Sequence, residues 1–250
     1  MRNYWVLKPN SKLAYLLGIK YGDLGLVSYK RKGIAEYRIG LTAKDEDFVS
    51  KFRDTVCSLL KKKTTNRIHL DKGYYCCYIC SKDLFHYLSL GLEAHKPVIE
   101  KFPADFLRGF FDSEGNADQR SKICCLISAS NINLELLKYV QHLLKKLGIA
   151  SQIYPLSSKQ FVTIFGRICR AHQAWQLKVT SIKEARKFWK KVGFSIRRKQ
   201  EPLDSSYAKY EKNLKAFNEE RTLTFKLHAS IRNRNSLGQF MGGKHAFCKC

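Results

Sequence analysis

One structural unit is written twice along this chain, and that duplication restricts the fold more than any other feature of the sequence. The helix-start pair Asn10-Ser11 leads into Lys12-Leu13-Ala14-Tyr15-Leu16-Leu17-Gly18-Ile19-Lys20-Tyr21-Gly22-Asp23. Strand-like runs at 26–30 and 35–41 flank a basic turn, Arg31-Lys32-Gly33. A helix is expected over 45–60, with Phe48, Phe52, Val56 and Leu59 at helical spacing. Strands near 67–70 and 74–80 then precede a helix over 81–90. The same order recurs. A helix at 104–113 is followed by strand candidates, of which 123–129 is the clearest. Next comes a helix capped by Asn131 that carries Leu134, Leu137, Val140 and Leu144 on one face. Strands near 152–155, 161–165 and 174–179 precede a helix over 181–192.

The repeat can be checked by offset. Glu114 follows Asp23 by 91 residues, Ile127 follows Leu41 by 86, and Ser181 follows Ser81 by 100. Offsets that differ only by loop-sized insertions fit a duplicated subdomain. The expected class is therefore α+β, two pseudo-symmetric αββαββα subdomains at 1–100 and 101–203. From about Leu203 the pattern changes, and 204–250 reads as a basic C-terminal extension with a short helix at 214–220. Its Arg232, Arg234 and Lys244, set among Gly and Asn, suit additional contacts to a nucleic-acid backbone.

The two motif helices carry the chemistry. Ala14, Gly18 and Gly22 are spaced four apart, which puts them on one helical face, and Gly109 and Ser113 stand at the equivalent places of the second helix. Glycine inside a helix costs about 0.5–1 kcal/mol relative to alanine, so a packing reason is expected: each small face lies against the other. Asp23 and Glu114 then meet at the C-terminal ends of the packed pair, where the helix dipoles disfavour negative charge. A divalent cation is the expected compensation, with Mg2+ activating water at two phosphates and Ca2+ filling the sites without turnover.

Leu16-Leu17-Gly18-Ile19-Lys20-Tyr21-Gly22-Asp23 and Leu107-Arg108-Gly109-Phe110-Phe111-Asp112-Ser113-Glu114-Gly115 resemble two LAGLIDADG motifs of the homing endonucleases. The second fits throughout, with Glu in place of Asp. The first departs from the pattern, since Leu24 takes the place of the closing glycine and Gly25 comes one residue later. With the strand and helix order behind each motif, the resemblance covers about residues 11–200. It implies that the halves form one saddle of antiparallel strands gripping DNA in the major groove. It also implies Mg2+-dependent cleavage of both strands, leaving short 3′ overhangs at a long asymmetric target. Asp23 and Glu114 would be the metal-binding catalytic acids, with the backbone at Gly22 and Ser113 beside the metal. A catalytic lysine near each metal site is implied too: Lys199, in Phe194-Ser195-Ile196-Arg197-Arg198-Lys199-Gln200, and Lys96 in preference to Lys101 in the first half.

The charge agrees with a nucleic-acid partner. The 46 Lys and Arg residues outweigh 21 Asp and Glu, giving a formal net charge of +25 and a strong self-repulsion that a polyanion relieves. Lys30, Glu36 and Arg38 alternate with Tyr37 and Ile39, and Arg67 and His69 with Ile68 and Leu70. Gln176 and Lys178 alternate with Trp175, Leu177 and Val179, while Lys122 opens a further strand. Lys30, Arg31, Lys32, Arg38, Arg67, Lys122, Gln176 and Lys178 are the expected DNA-binding residues.

Other classes recede. No run of 18 apolar residues predicts a membrane span, and the start of the chain lacks the apolar run of a secretory signal. Nine cysteines without a regular framework read as mostly reduced thiols of an intracellular protein, with archaeal cytoplasm and organelle both open. Cys76, Cys77 and Cys80, with Cys248 and Cys250, invite a zinc reading, but the first three fall within a strand. The leading function is a monomeric, intron-encoded, site-specific DNA endonuclease. The alternatives are an RNA maturase that binds its host intron RNA, and a noncatalytic DNA-binding regulator of the same fold. Retention of both acids argues against the regulator. A motif so near residue 1 argues against an intein.

Overall fold

The computed structural model describes residues 8–31, 33–63, 67–121, 124–156, 161–164, 167–170 and 173–234. The first half begins with α1 (Ser11–Lys20), whose N-terminus is capped by the Asn10 side chain accepting from the Leu13 N–H. There follow β1 (Gly25–Arg31), β2 (Ile34–Ala43), α2 (Glu46–Leu59), β3 (His69–Asp71), β4 (Tyr74–Cys80), α3 (Lys82–Leu88) and α4 (Leu92–Lys101). The second half comprises α5 (Pro103–Glu114), β5 (Gly115–Ser121), β6 (Cys124–Asn131), α6 (Leu134–Lys146), β7 (Gln152–Pro155), β8 (Phe161–Ile164), β9 (Arg167–Arg170), β10 (Trp175–Val179) and α7 (Ile182–Lys191). α8 (Arg197–Arg234) completes the described chain.

Each half builds one antiparallel four-stranded sheet, ordered β1-β2-β4-β3 and β5-β6-β10-β7. The equivalence of the two orders is the duplication in three dimensions, and the α+β class expected from the sequence holds. β8 and β9 form a separate two-stranded ribbon. One hydrophobic core runs beneath both sheets. α1 contributes seven consecutive buried residues, Leu13 to Ile19, because it is covered on all sides. α2 and α6 are amphipathic instead, burying Phe48, Phe52 and Val56, and Leu137, Val140 and Leu144. Alternation along β6 and β10 buries Cys125, Ile127, Leu177 and Val179, and leaves Gln176 and Lys178 on the outward face.

Several expectations need correction. α4 was not anticipated, because Pro97 inside it reads as a helix breaker; burial of His95, Val98 and Ile99 overrides that cost. Asn133, not Asn131, caps α6, accepting from the Leu136 N–H. Residues 214–220 belong to the much longer α8. The chain divides into two compact units, Met1–Tyr207 and Ala208–Cys250, and both halves of the duplication lie in the first. Lys32, Lys122, Lys244, Cys248 and Cys250 lie outside the described residues. Among the described residues no helix is long and apolar enough to cross a membrane.

Candidate active site

α1 and α5 pack backbone to backbone. A Cβ added to Gly18 would overlap the Phe106 carbonyl and lie 2.8 Å from the Gly109 Cα; one added to Gly109 would overlap the Tyr15 carbonyl. Gly18 and Gly109 therefore face each other, with Ala14 fully buried one turn earlier. Further along, a Cβ on Gly22 would overlap the Ser113 side chain and come within 3.2 Å of the Glu114 Cγ. The small face thus carries the two chain segments to a meeting point at Gly22, Asp23, Ser113 and Glu114.

The two ends differ. α5 runs to Glu114 itself and turns directly into β5 at Gly115, where a Cβ would collide with the Phe111 carbonyl. Leu24 replaces that closing glycine in the first motif and cannot make the same turn. α1 accordingly stops at Lys20, and the Gly22 and Leu24 N–H groups both donate to the Ile19 carbonyl, at 3.0 and 3.2 Å. Asp23 sits in this looser turn, beyond the helix rather than at its last position as the sequence reading had it, and is more open to solvent than half-buried Glu114.

Electrostatics mark the pair. Burial pushes the Glu114 carboxyl up to about 7, and the neighbouring Asp23 charge adds to the shift; the Asn131 hydrogen bond and Lys199 oppose it. Burial likewise raises Asp23, again opposed by Lys199. Solvent exposure of part of the Asp23 side chain does not cancel the water lost on its protein-facing side. Two carboxylates brought side by side make an oxygen donor set, which fits a hard divalent cation. Without one, the folded state keeps the Glu114 proton to about pH 7, whereas an unfolded chain releases it near the ordinary glutamate value of 4.5. Stability is then fully present below that lower value, falls as pH rises through the folded one and levels off above it. With divalent ions chelated, Glu114→Gln should stabilise the fold at pH 8 relative to the unmodified protein, by on the order of 1 kcal/mol after solvent screening, and so raise its melting temperature. Melting curves from pH 4 to 8 check this; equal melting temperatures at both ends would contradict the assigned repulsion.

Lys199, only 7% exposed, lies under the site. Its Nζ donates to the carbonyls of Phe111 and Ser113, at 3.3 Å each, and to that of Asp112. These are last-turn carbonyls of α5, the negative end of its dipole, so the ammonium both satisfies them and neutralises that end. Burial lowers the Lys199 pKa, against the raising effect of Asp112 and Asp23. Asp112 is held in turn by the Tyr15 hydroxyl of α1 and the Ser195 N–H, each donating at 2.8 Å. The pseudo-symmetric counterpart is Tyr21, which packs edge-on against Phe106 and hydrogen-bonds His95 Nδ1 at 2.7 Å. Lys96 is not brought to the acids: it pairs with Glu93 at 2.6 Å and lies over the Tyr139 ring. Buried Ile99 follows Pro97 where the second half has its lysine two positions after Arg197.

Asn131 was missed as a site residue. Its Nδ2 donates to Glu114 Oε1 at 3.2 Å while its Oδ1 accepts from the Asn133 N–H at 2.8 Å. The hairpin of β5 and β6 places it there, since it pairs Gly115 with Ala129 and returns the end of β6 to the acid.

The expected DNA-binding residues divide by face. Register places Tyr29 opposite Glu36 and Val27 opposite Arg38, so these share the outward face of the first sheet. Lys30 pairs with Ala35 and so lies on the opposite face, that of Tyr37 and Ile39; the sequence reading had grouped it with Arg38. Arg31 closes β1 opposite Ile34, and Arg67 is exposed ahead of β3 rather than within it. On the second sheet Gln176 and Lys178 stand between Ser130 and Ser128 on one side and Tyr154 and Gln152 on the other. Cys77 is buried beneath the first sheet, whereas Cys76 and Cys80 alternate to its outer face.

Comparison with known proteins bears on the fold and the family. Residues 101–193 match a family model described as a LAGLIDADG-like domain. An uncharacterized protein of Methanocaldococcus jannaschii is 33% identical over 218 residues, covering 83% of this chain and 75% of that protein. The homing endonuclease I-DmoI of Desulfurococcus mucosus is 30% identical over 146 residues, covering 56% of this chain and 73% of its own. The structure of I-DmoI in complex with DNA and calcium matches with a TM-score of 0.56 at 25% identity, over 73% of this chain and 88% of that one. The complex with DNA and manganese gives 0.54 at 26%, over 73% and 96%.

Proposed function

This chain belongs to the LAGLIDADG homing endonuclease family, and on that ground we propose that it is a site-specific, magnesium-dependent DNA endonuclease acting as a monomer on an asymmetric duplex target. Its fold is the family's pair of αββαββα halves, whose antiparallel sheets form the saddle. The observation that carries the activity is the meeting of Asp23 and Glu114 at the crossing of two glycine-packed helices, where burial and mutual repulsion hold Glu114 near pH 7. A pair so disfavoured without a cation is built to bind one. Relatives support the ligand classes, since I-DmoI has been crystallised with DNA together with calcium or manganese.

Asp23 and Glu114 would hold the cation, with the backbone at Gly22 and Ser113 alongside. Magnesium bound there would supply a Lewis acid for the scissile phosphates and lower the pKa of water, and calcium would fill the same oxygen sites without turnover. Asn131 fixes the orientation of the Glu114 carboxylate. Lys199 locks the last turn of α5 and lends positive charge to both acids, which makes it a positioning residue rather than a proton donor. The outward sheet faces bind the duplex, one half-site each. The test is cleavage of a duplex library by the purified chain with magnesium. Double-strand breaks at one recurrent sequence are expected, with one chain per site and affinity that falls steeply with salt. Two chains per site, or binding without cutting in magnesium, would refute the reading.

A further inference from the structure

Arg38 occupies the middle of a boxed patch on the outward face of the first sheet. Its strand, β2, lies between β1 and β4, and register sets Val27 and Cys80 directly beside it. The guanidinium carbon is 4.6 Å from the Tyr29 ring centre and 4.5 Å from that of Tyr78, one tyrosine from each neighbouring strand. Glu36, on the same face, accepts from Arg38 Nη2 at 3.3 Å and from the Tyr29 hydroxyl at 2.6 Å. The Arg38 Nε is buried without a hydrogen-bond partner. A guanidinium has five donors in a rigid plane, and this one is clamped between two aromatic faces while under-supplied with acceptors.

We propose that Arg38 is a specificity-determining residue that reads a guanine in the half-site bound by the first sheet. This rests on the nuclease reading above and adds to it a residue and a base. Phosphates are reached from the margins of a groove-filling sheet, whereas an interior strand lies over the base edges. In the major groove guanine offers two adjacent acceptors, O6 and N7, that match two donors of the guanidinium fork. Adenine sets an amino donor against the same fork, and the pyrimidines offer no such pair. The tyrosine clamp removes most of the rotamer freedom that binding would otherwise have to freeze, so recognition begins from an ordered group. Glu36 sets the in-plane rotation of the fork and holds Tyr29 in place.

The experiment selects bound duplexes from a randomised pool, using the full chain with calcium in place of magnesium, and repeats the selection with Arg38→Gln, Arg38→Lys and Tyr78→Ala. The unmodified chain should retain guanine at one position of one half-site. Arg38→Gln should lose that preference, by about 10–100-fold at that position alone, and Arg38→Lys, which keeps the charge without the planar fork, should weaken it. Tyr78→Ala should weaken the same preference without changing the base, and Tyr78→Phe, which keeps the ring, should restore it. A 7-deazaguanine placed at the position removes only N7, needs no variant protein, and should weaken binding by the unmodified chain but not by Arg38→Gln. An unchanged consensus with Arg38→Gln, or a loss spread evenly over all sequences, would overturn the assignment by making Arg38 a structural or phosphate contact. Failure of the unmodified chain to retain any duplex would overturn the nuclease reading itself, and the guanine assignment with it.

Discussion

Asp23→Asn and Glu114→Gln should each lower magnesium-dependent double-strand cleavage by about a hundredfold or more while target binding in calcium persists. Both substitutions keep side-chain size and hydrogen-bonding capacity and remove only the charge that a hard cation requires. The two variants should not be identical. Glu114 is half-buried at the very end of α5 and oriented by Asn131, whereas Asp23 stands in a looser, more open turn. Slow nicking of one strand is therefore expected to survive better in one variant than in the other. Plasmid assays that resolve supercoiled, nicked and linear forms read this directly. Full double-strand cutting by the doubly substituted protein would remove these acids from the mechanism. A maturase would show the opposite pattern, splicing precursor RNA undiminished by both changes because folding assistance needs no metal-activated water.

Gly18→Leu or Gly109→Leu should be the most damaging substitutions outside the acids. At each position even a single carbon would overlap a backbone carbonyl of the opposing helix, and backbone cannot swing aside as the tip of a flexible side chain can. Overpacking of this kind costs about 1–3 kcal/mol, and the rigid partner places these sites at the upper end or beyond. Cleavage should fall further than stability, because the same displacement separates Asp23 from Glu114. Thermal melts and cleavage rates measured on one preparation separate the two effects. Wild-type values for both would mean that α1 and α5 can spread without consequence.

Much of this site was legible because it is written twice. Asp23 and Glu114 recur in register behind small-residue helices, and repetition separates a functional acid from an ordinary surface one. What escaped reading depended on contacts between distant segments. Asn131 and Asn133 carry the same capping signal, and only the path of the β5–β6 hairpin decides that one caps α6 while the other reaches Glu114. Lys199 could be found by its place in the chain, but its partners are carbonyls some eighty-seven positions earlier, and no local pattern records them. Lys30 shows a different failure. Alternation within β1 is plain in the sequence, but which of its two faces joins Arg38 is set by the hairpin register, and a shift of one residue reverses the answer. Pro97 concealed α4 because a local penalty is visible in sequence and the tertiary burial that outweighs it is not.

The all-round burial of α1 has a consequence for how the chain is made. Seven consecutive residues, Leu13 to Ile19, leave the ribosome before α5 does, and no surface of the first half alone covers the side that α5 will occupy. That partner begins at Pro103. At about 5–20 residues per second, the wait between the two helices lasts roughly 5–20 seconds. Throughout that interval the nascent chain carries an apolar helix with a glycine groove and nothing to fill it. The apolar face of α1 gains its cover on that side only when the second copy of the motif arrives to close over the first.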